Sequence, residues 1–185
     1  MSTLKLTPTV EVDELAWPDE ETNLTTSSPA IHFFVDFKKA KPQTIKSSLS
    51  AVEARRLMQA ANVQTEVVLD DYGRFLGIIS SDDILERKIM KKVSEGHVRS
   101  EIPATDFMLP KRALRCVSYA QIRKATIADV IETLKDSGQQ HCLVIDSEAH
   151  LIRGIFSASD IANKLHKPIH IQDKPDFYKI HAPAQ

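Results

Sequence analysis

Two short stretches of the chain carry the same polar pair at the same spacing. Gly77-Ile78-Ile79-Ser80-Ser81-Asp82-Asp83-Ile84 and Gly154-Ile155-Phe156-Ser157-Ala158-Ser159-Asp160-Ile161 both read glycine, apolar, apolar, serine, any, any, aspartate, apolar. A serine hydroxyl donates and accepts, and an ionised aspartate offers two acceptor oxygens. At a helix start such groups satisfy free backbone amides as caps. A hydroxyl there also joins those amides in holding an anion. Capping explains one serine or one aspartate. It does not explain the same three-residue offset twice, each time after a glycine. A glycine inside an apolar strand weakens it and marks a bulge, or a close approach by another backbone or a ligand.

Bond-making chemistry has little support. Seven histidines and two cysteines invite a zinc site, but no Cys-x-x-Cys or His-Glu-x-x-His spacing occurs. His166 and His170 are four apart, yet Pro168 between them breaks the helical face. There is no nucleophile elbow, Walker loop or dinucleotide fingerprint. A binding protein is therefore expected, not an enzyme. Cys142 sits in an apolar run and reads as core. Arg123, Lys124 and Arg153 lie near repeat edges and can neutralise an anion, although solvated surface charge is the plainer account of any one of them. The run Arg87, Lys88, Lys91, Lys92 interleaves with Ile84, Leu85, Ile89 and Met90, which reads as a solvated helix face before a nucleic-acid patch.

The elements that position the two pairs repeat as well. Ser48–Ile89 and Lys124–Leu165 share one pattern. Asp83 and Asp160 are 77 residues apart, whereas Ser50 and Thr126 upstream are 76 apart, so the second copy has one extra residue in its hairpin turn. Each copy opens with a hydroxyl followed by an acid three residues on, Ser50 with Glu53 and Thr126 with Asp129, the signature of a capped helix start. Apolar residues follow at helical spacing, and the helices end near Asn62 and Gly138. A short apolar strand, Val67–Leu69 or Leu143–Ile145, then stops at Asp70 or Asp146. A turn, a second strand carrying the glycine, and a short helix complete the unit. A leading strand is expected before each. The spacing predicts an α/β (α+β) protein of two β-α-β-β-α units related by a pseudo-twofold axis, each with a three-stranded sheet. Helices are expected near 50–62, 82–93, 127–137 and 159–166.

The flanks differ. Residues 1–30 hold six acids and one base, leaving +4 on the remainder of a chain whose net charge is −1. This acidic arm shows no lasting period and reads as mobile or loosely docked, unless Leu15 and Trp17 anchor it. After it come units at 31–95 and 100–168 and a tail at 169–185, where Phe177 and Tyr178 can pack. Balanced charge argues against a strongly basic nucleic-acid binder. No apolar run approaches the roughly 20 residues of a membrane span. The start lacks the apolar stretch of a signal peptide, and two cysteines suit a reducing compartment, so a cytoplasmic protein is expected.

The doubled glycine-to-aspartate signature, each after a capped helix and a strand ending in aspartate, resembles the CBS (cystathionine beta-synthase) domain. Two copies over about residues 31–168 resemble the tandem called a Bateman module. Asp106-Phe107-Met108-Leu109-Pro110 is similar to the segment that introduces such a domain. The resemblance implies a regulatory module that binds an adenine-containing ligand between the repeats and acts through a protein partner. AMP, ADP or ATP is implied first, S-adenosylmethionine less so. By the family's pattern Asp83 and Asp160 take ribose hydroxyls, and Ser80 and Ser157 face phosphate. His141 stands where some members place a phosphate-contacting base, with Thr65 in the matching slot. Arg153 is a further phosphate-capable neighbour. The alternative is a dimeric scaffold that needs no ligand. A homodimer is expected through Ile84, Leu85, Ile89 and Met90 with Ile161 and Leu165 opposite, apolar positions in surplus of what one small unit needs.

Overall fold

A computed structural model describes residues 24–172. Leu15, Trp17, Phe177 and Tyr178 lie outside the described residues. In chain order the elements are β1 (Val35–Asp36), β2 (Thr44–Lys46), α1 (Ala51–Ala61), β3 (Thr65–Leu69), β4 (Phe75–Ser80), α2 (Glu86–Ser94), β5 (Leu109–Pro110), β6 (Arg115–Ser118), α3 (Tyr119–Ile122), α4 (Ile127–Ser137), β7 (His141–Asp146), β8 (Leu151–Ser157) and α5 (Ala158–Leu165).

The helix boundaries follow from local chemistry. Ser50 caps α1 by accepting from the Glu53 amide at 3.3 Å. Thr126 and Asp129 form a reciprocal capping box on α4. Asn62 and Gly138 close these helices in the left-handed conformation, at φ 52° and 67°. The expected α2 is the element that moves: residues 81–84 form turns, and the helix starts only at Glu86.

Each unit builds a sheet of four strands, one more than expected. The orders are β2-β3-β4-β5 and β1-β8-β7-β6. Within each, a parallel pair (β2 with β3, β6 with β7) adjoins an antiparallel hairpin. The fourth strand is exchanged. β1, ahead of the first unit, pairs with β8 of the second, and β5, ahead of the second, pairs with β4 of the first. The two strand glycines receive these strands: Gly154 faces Asp36 and Gly77 faces Pro110. A Cβ on Gly154 would strike the Val35 carbonyl and lie 2.7 Å from the Phe34 ring, and one on Gly77 would strike the Leu109 carbonyl and lie 2.8 Å from the Met108 side chain. The close approach is therefore by backbone. A bulge precedes each glycine, where the register slips between Val68 and Leu69 and between Val144 and Ile145.

The sheets have two working faces. Toward the helices, Val68, Ile79 and Ile84 pack with Ala54 and Met58 in the first unit, and Val144, Phe156 and Ile161 with Leu134 in the second. Toward each other, Ile78, Leu114, Leu143 and Ile155 form a separate cluster that joins the units. Burying such side chains stabilises by about 1.5–3 kcal/mol each. The end of the acidic arm docks on the second unit: Ala30 is fully buried there, Leu24 packs on the same core, and Ser28 accepts from the Ile127 amide.

The apolar surplus on the helices is smaller than expected. Ile84, Ile89, Ile161 and Leu165 are all buried within the protomer. Leu85 is half-buried, while Met90 (47% exposed) and Leu57 (40%) remain on the surface. Among the described residues no helix is long and apolar enough to cross a membrane.

Candidate functional site

The hairpins bring their matched ends together between the two units. Thr65 begins β3 opposite Ser80, the end of β4, and His141 begins β7 opposite Ser157, the end of β8. Across the units Thr65 Oγ1 and His141 Nε2 lie 3.3 Å apart. They line a cavity of about 570 Å³ with Ser80, Asp83 and Ser157, and Lys88 of α2. Phe107, Met108 and Leu109 supply its apolar wall.

The polar groups are pre-positioned, differently in the two copies. Asp83 Oδ2 accepts from the Ser80 amide at 2.9 Å and from the Ser80 hydroxyl at 2.7 Å. In the second copy the Ser157 hydroxyl pairs instead with Ser159 Oγ at 2.7 Å. Neither α2 nor α5 has a side-chain cap, although Ser157 occupies the N-cap position of α5. The capping account thus fails for both pairs. Asp83 braces a turn, and Ser157 is oriented by its neighbour. His141 is half-buried, and burial holds its pKa below the ordinary histidine value, with the charges of Asp83 and Asp160 pulling the other way. Asp160 does not line the cavity, but its charge acts on the His141 imidazole.

This architecture has relatives. The CBS domain family matches residues 36–89 and 123–167, more than half of the chain and once per unit. The chain belongs to the CBS domain family. No curated protein matches its sequence. Among solved structures, an uncharacterised conserved protein from Pyrococcus horikoshii is 23% identical, with TM-score 0.56, covering 80% of this chain and 98% of that one. A hemolysin-like CBS-domain protein of Oenococcus oeni is 15% identical, with TM-score 0.54, over 76% and 91%. CBSX2 in complex with AMP is 20% identical, with TM-score 0.50, over 74% and 94%. At these identities the likeness is one of fold.

Seen as a CBS pair, the structure brings Ser80, Asp83, Ser157 and His141 to one cavity and leaves Asp160 beside it. Arg153 is elsewhere. It occupies the bulge of β8, opposite no residue of β7. Its Nε and an η-nitrogen donate to the two carboxylate oxygens of Asp36, at 2.6 and 2.9 Å. Its guanidinium also stacks over Tyr119, 4.4 Å from the ring centre. The side chains of Arg153 and Asp36 are only 13% and 6% exposed. The bonded guanidinium holds the Asp36 carboxyl below its ordinary value. This clamp fastens the exchanged strand β1 to β8.

Two features of this CBS pair escape a reading along the chain. The first is the exchange of β1. Its signal was present: His32-Phe33-Phe34-Val35-Asp36 stands to β8 as Asp106-Phe107-Met108-Leu109-Pro110 stands to β4. The second is Glu66, at the position matching Cys142. Glu66 is 4% exposed, its Oε2 has no partner, and burial raises its pKa. Its neighbour relation with Ile79 gives no sequence signal.

Proposed function

We propose that this CBS pair is a regulatory, non-catalytic module that binds an adenine nucleotide in the cleft between its units and acts through a protein partner. One observation carries the reading. The matched serines Ser80 and Ser157, the matched pair Thr65 and His141, and Asp83 of the first repeat converge on one cavity, with a volume in the range of small-molecule sites. Hydroxyls, an imidazole and the Lys88 ammonium suit a phosphate. Asp83 and Asp160 suit vicinal ribose hydroxyls. The apolar wall of Phe107, Met108 and Leu109 suits a base. The AMP complex of the similarly folded CBSX2 supports AMP as the first ligand to test, ahead of S-adenosylmethionine. Because the ligand touches both units, binding can change how they pack, and a partner can read that change. Thermal shift with AMP, ADP and ATP tests the reading. At 100 times the dissociation constant a ligand adds about 2.7 kcal/mol. No shift with any of the three overturns it.

The exposed Leu57 and Met90 on α1 and α2 favour a second, compatible reading, a homodimer through these helices in a cytoplasmic protein. Light scattering tests the dimer, and a mass of 20.7 kDa at micromolar protein would refute it. If nucleotides fail but the dimer forms, the ligand-independent scaffold is the surviving function.

A further inference from the structure

The cavity is short of positive charge. Lys88 supplies the one ammonium among the described residues that line it, and Lys88 Nζ already donates to the Asp82 carbonyl at 2.7 Å. Asp82 and Asp83 line the same space, and the charge of Asp160 on α5 acts on His141 there. The other ionisable lining residue is His141, whose burial opposes a charge. Arg153, the strongest cation near the second hairpin, is taken by Asp36. Three carboxylates thus act on a space lined by one ammonium and one imidazole.

From this inventory we infer that the cleft selects a nucleoside monophosphate over the di- and triphosphate. The inference rests on the proposed nucleotide site and names its ligand more narrowly. A single phosphate can be met by the Ser80, Ser157 and Thr65 hydroxyls with Lys88 and His141. Each further phosphate group adds negative charge without a new cation to receive it. In a partly buried cleft, a like charge at a few ångströms costs about a factor of ten or more in affinity.

Calorimetric titration of AMP, ADP and ATP in chelator, then with excess magnesium, decides the matter. The expected order is AMP, ADP, ATP, with ATP at least about tenfold weaker than AMP in chelator. Magnesium, which neutralises phosphate charge, should narrow the gap. Asp82→Asn should also narrow it, because it removes an exposed carboxylate, and Lys88→Gln should widen it. ATP binding as tightly as AMP in chelator overturns the inference and leaves the nucleotide site standing. So does a gap that neither variant moves. No binding of any of the three overturns the nucleotide site itself, and this inference with it.

Discussion

Thr65 Oγ1 and His141 Nε2 meet at 3.3 Å from matched positions of the two repeats, 76 residues apart in the chain. A repeated unit that packs about a twofold axis must place some position against its own copy. Here that position holds a hydroxyl in one copy and an imidazole in the other. The asymmetry puts one titratable group at that contact instead of two. Two histidines facing each other would repel when protonated.

The first prediction follows from that imidazole. Burial lowers its pKa in the free protein, so the folded state holds fewer protons than the unfolded one below about pH 6.5. Stability should therefore fall as pH drops through that value, and His141→Gln should remove that part of the fall. A bound phosphate reverses the sign, because its negative charge favours the imidazolium. AMP affinity should rise as pH falls from about 8 to 6. Calorimetry in buffers of different ionisation heat should show proton uptake in the wild type and none in His141→Gln. Equal uptake in both would place the proton elsewhere.

Asp83 and Asp160 test the ribose assignment. Charge-assisted hydrogen bonds contribute about 1.5–3 kcal/mol each. Asp160→Ala and Asp83→Ala should each weaken AMP at least tenfold, the effect of about 1.4 kcal/mol. Asp83→Ala should also loosen the Ser80 turn, since that carboxylate holds both the amide and the hydroxyl of Ser80. Calorimetry and urea denaturation on the same variants separate the two effects. Unchanged affinity in both variants, with the fold intact, would leave Asp83 as a turn brace alone and the ribose assignment without support.

Gly154→Ala probes the strand exchange. The added methyl would strike the Val35 carbonyl and the Phe34 ring. Overpacking of this kind costs about 1–3 kcal/mol. Denaturant midpoints should show it, and β1 amides should exchange hydrogen faster. An unchanged midpoint would mean that β1 does not sit against β8 in solution.

The Arg153 clamp should behave as a support. Arg153→Gln leaves the Asp36 carboxylate with only uncharged partners, the Lys38 amide among them, in place of a bidentate ion pair. The thermal midpoint should drop, while AMP affinity stays within about twofold of wild type. A large loss of affinity with stability intact would assign the guanidinium to the ligand.

Glu66 predicts a pH effect of the opposite sign to that of His141. Its folded pKa is raised by burial, so between the unfolded value and the folded one the native state holds the extra proton. Stability from this group is full below about pH 4.5 and is lost as pH rises through the folded pKa. Glu66→Gln should therefore match the wild type near pH 4 and exceed it near pH 7. Chemical denaturation at both values checks this. A variant weaker than wild type at pH 7 would reveal an ionised, well-paired Glu66.

The chain's local chemistry determined a great deal. Ser50 with Glu53 and Thr126 with Asp129 announced two helices, and Asn62 and Gly138 ended them, because caps act over three or four residues. The doubled glycine, serine and aspartate marked two equivalent hairpins, and Ser80, Asp83, Ser157 and His141 do meet at one cavity. The tertiary structure alone decided what those residues meet. Asp36 and Arg153 are 117 residues apart, and no periodicity links them. Each is an ordinary charged residue until β1 crosses to the other unit and brings them together. The same crossing fills the space above Gly154 with Val35 and Phe34, so the glycine answers to a backbone and not to a ligand. The apolar positions Ile84, Ile89, Ile161 and Leu165 look like surplus along the chain because hydrophobicity has no address. Only the packed units show which neighbour each one covers, and which carboxylate, Glu66, is sealed in with no partner for Oε2.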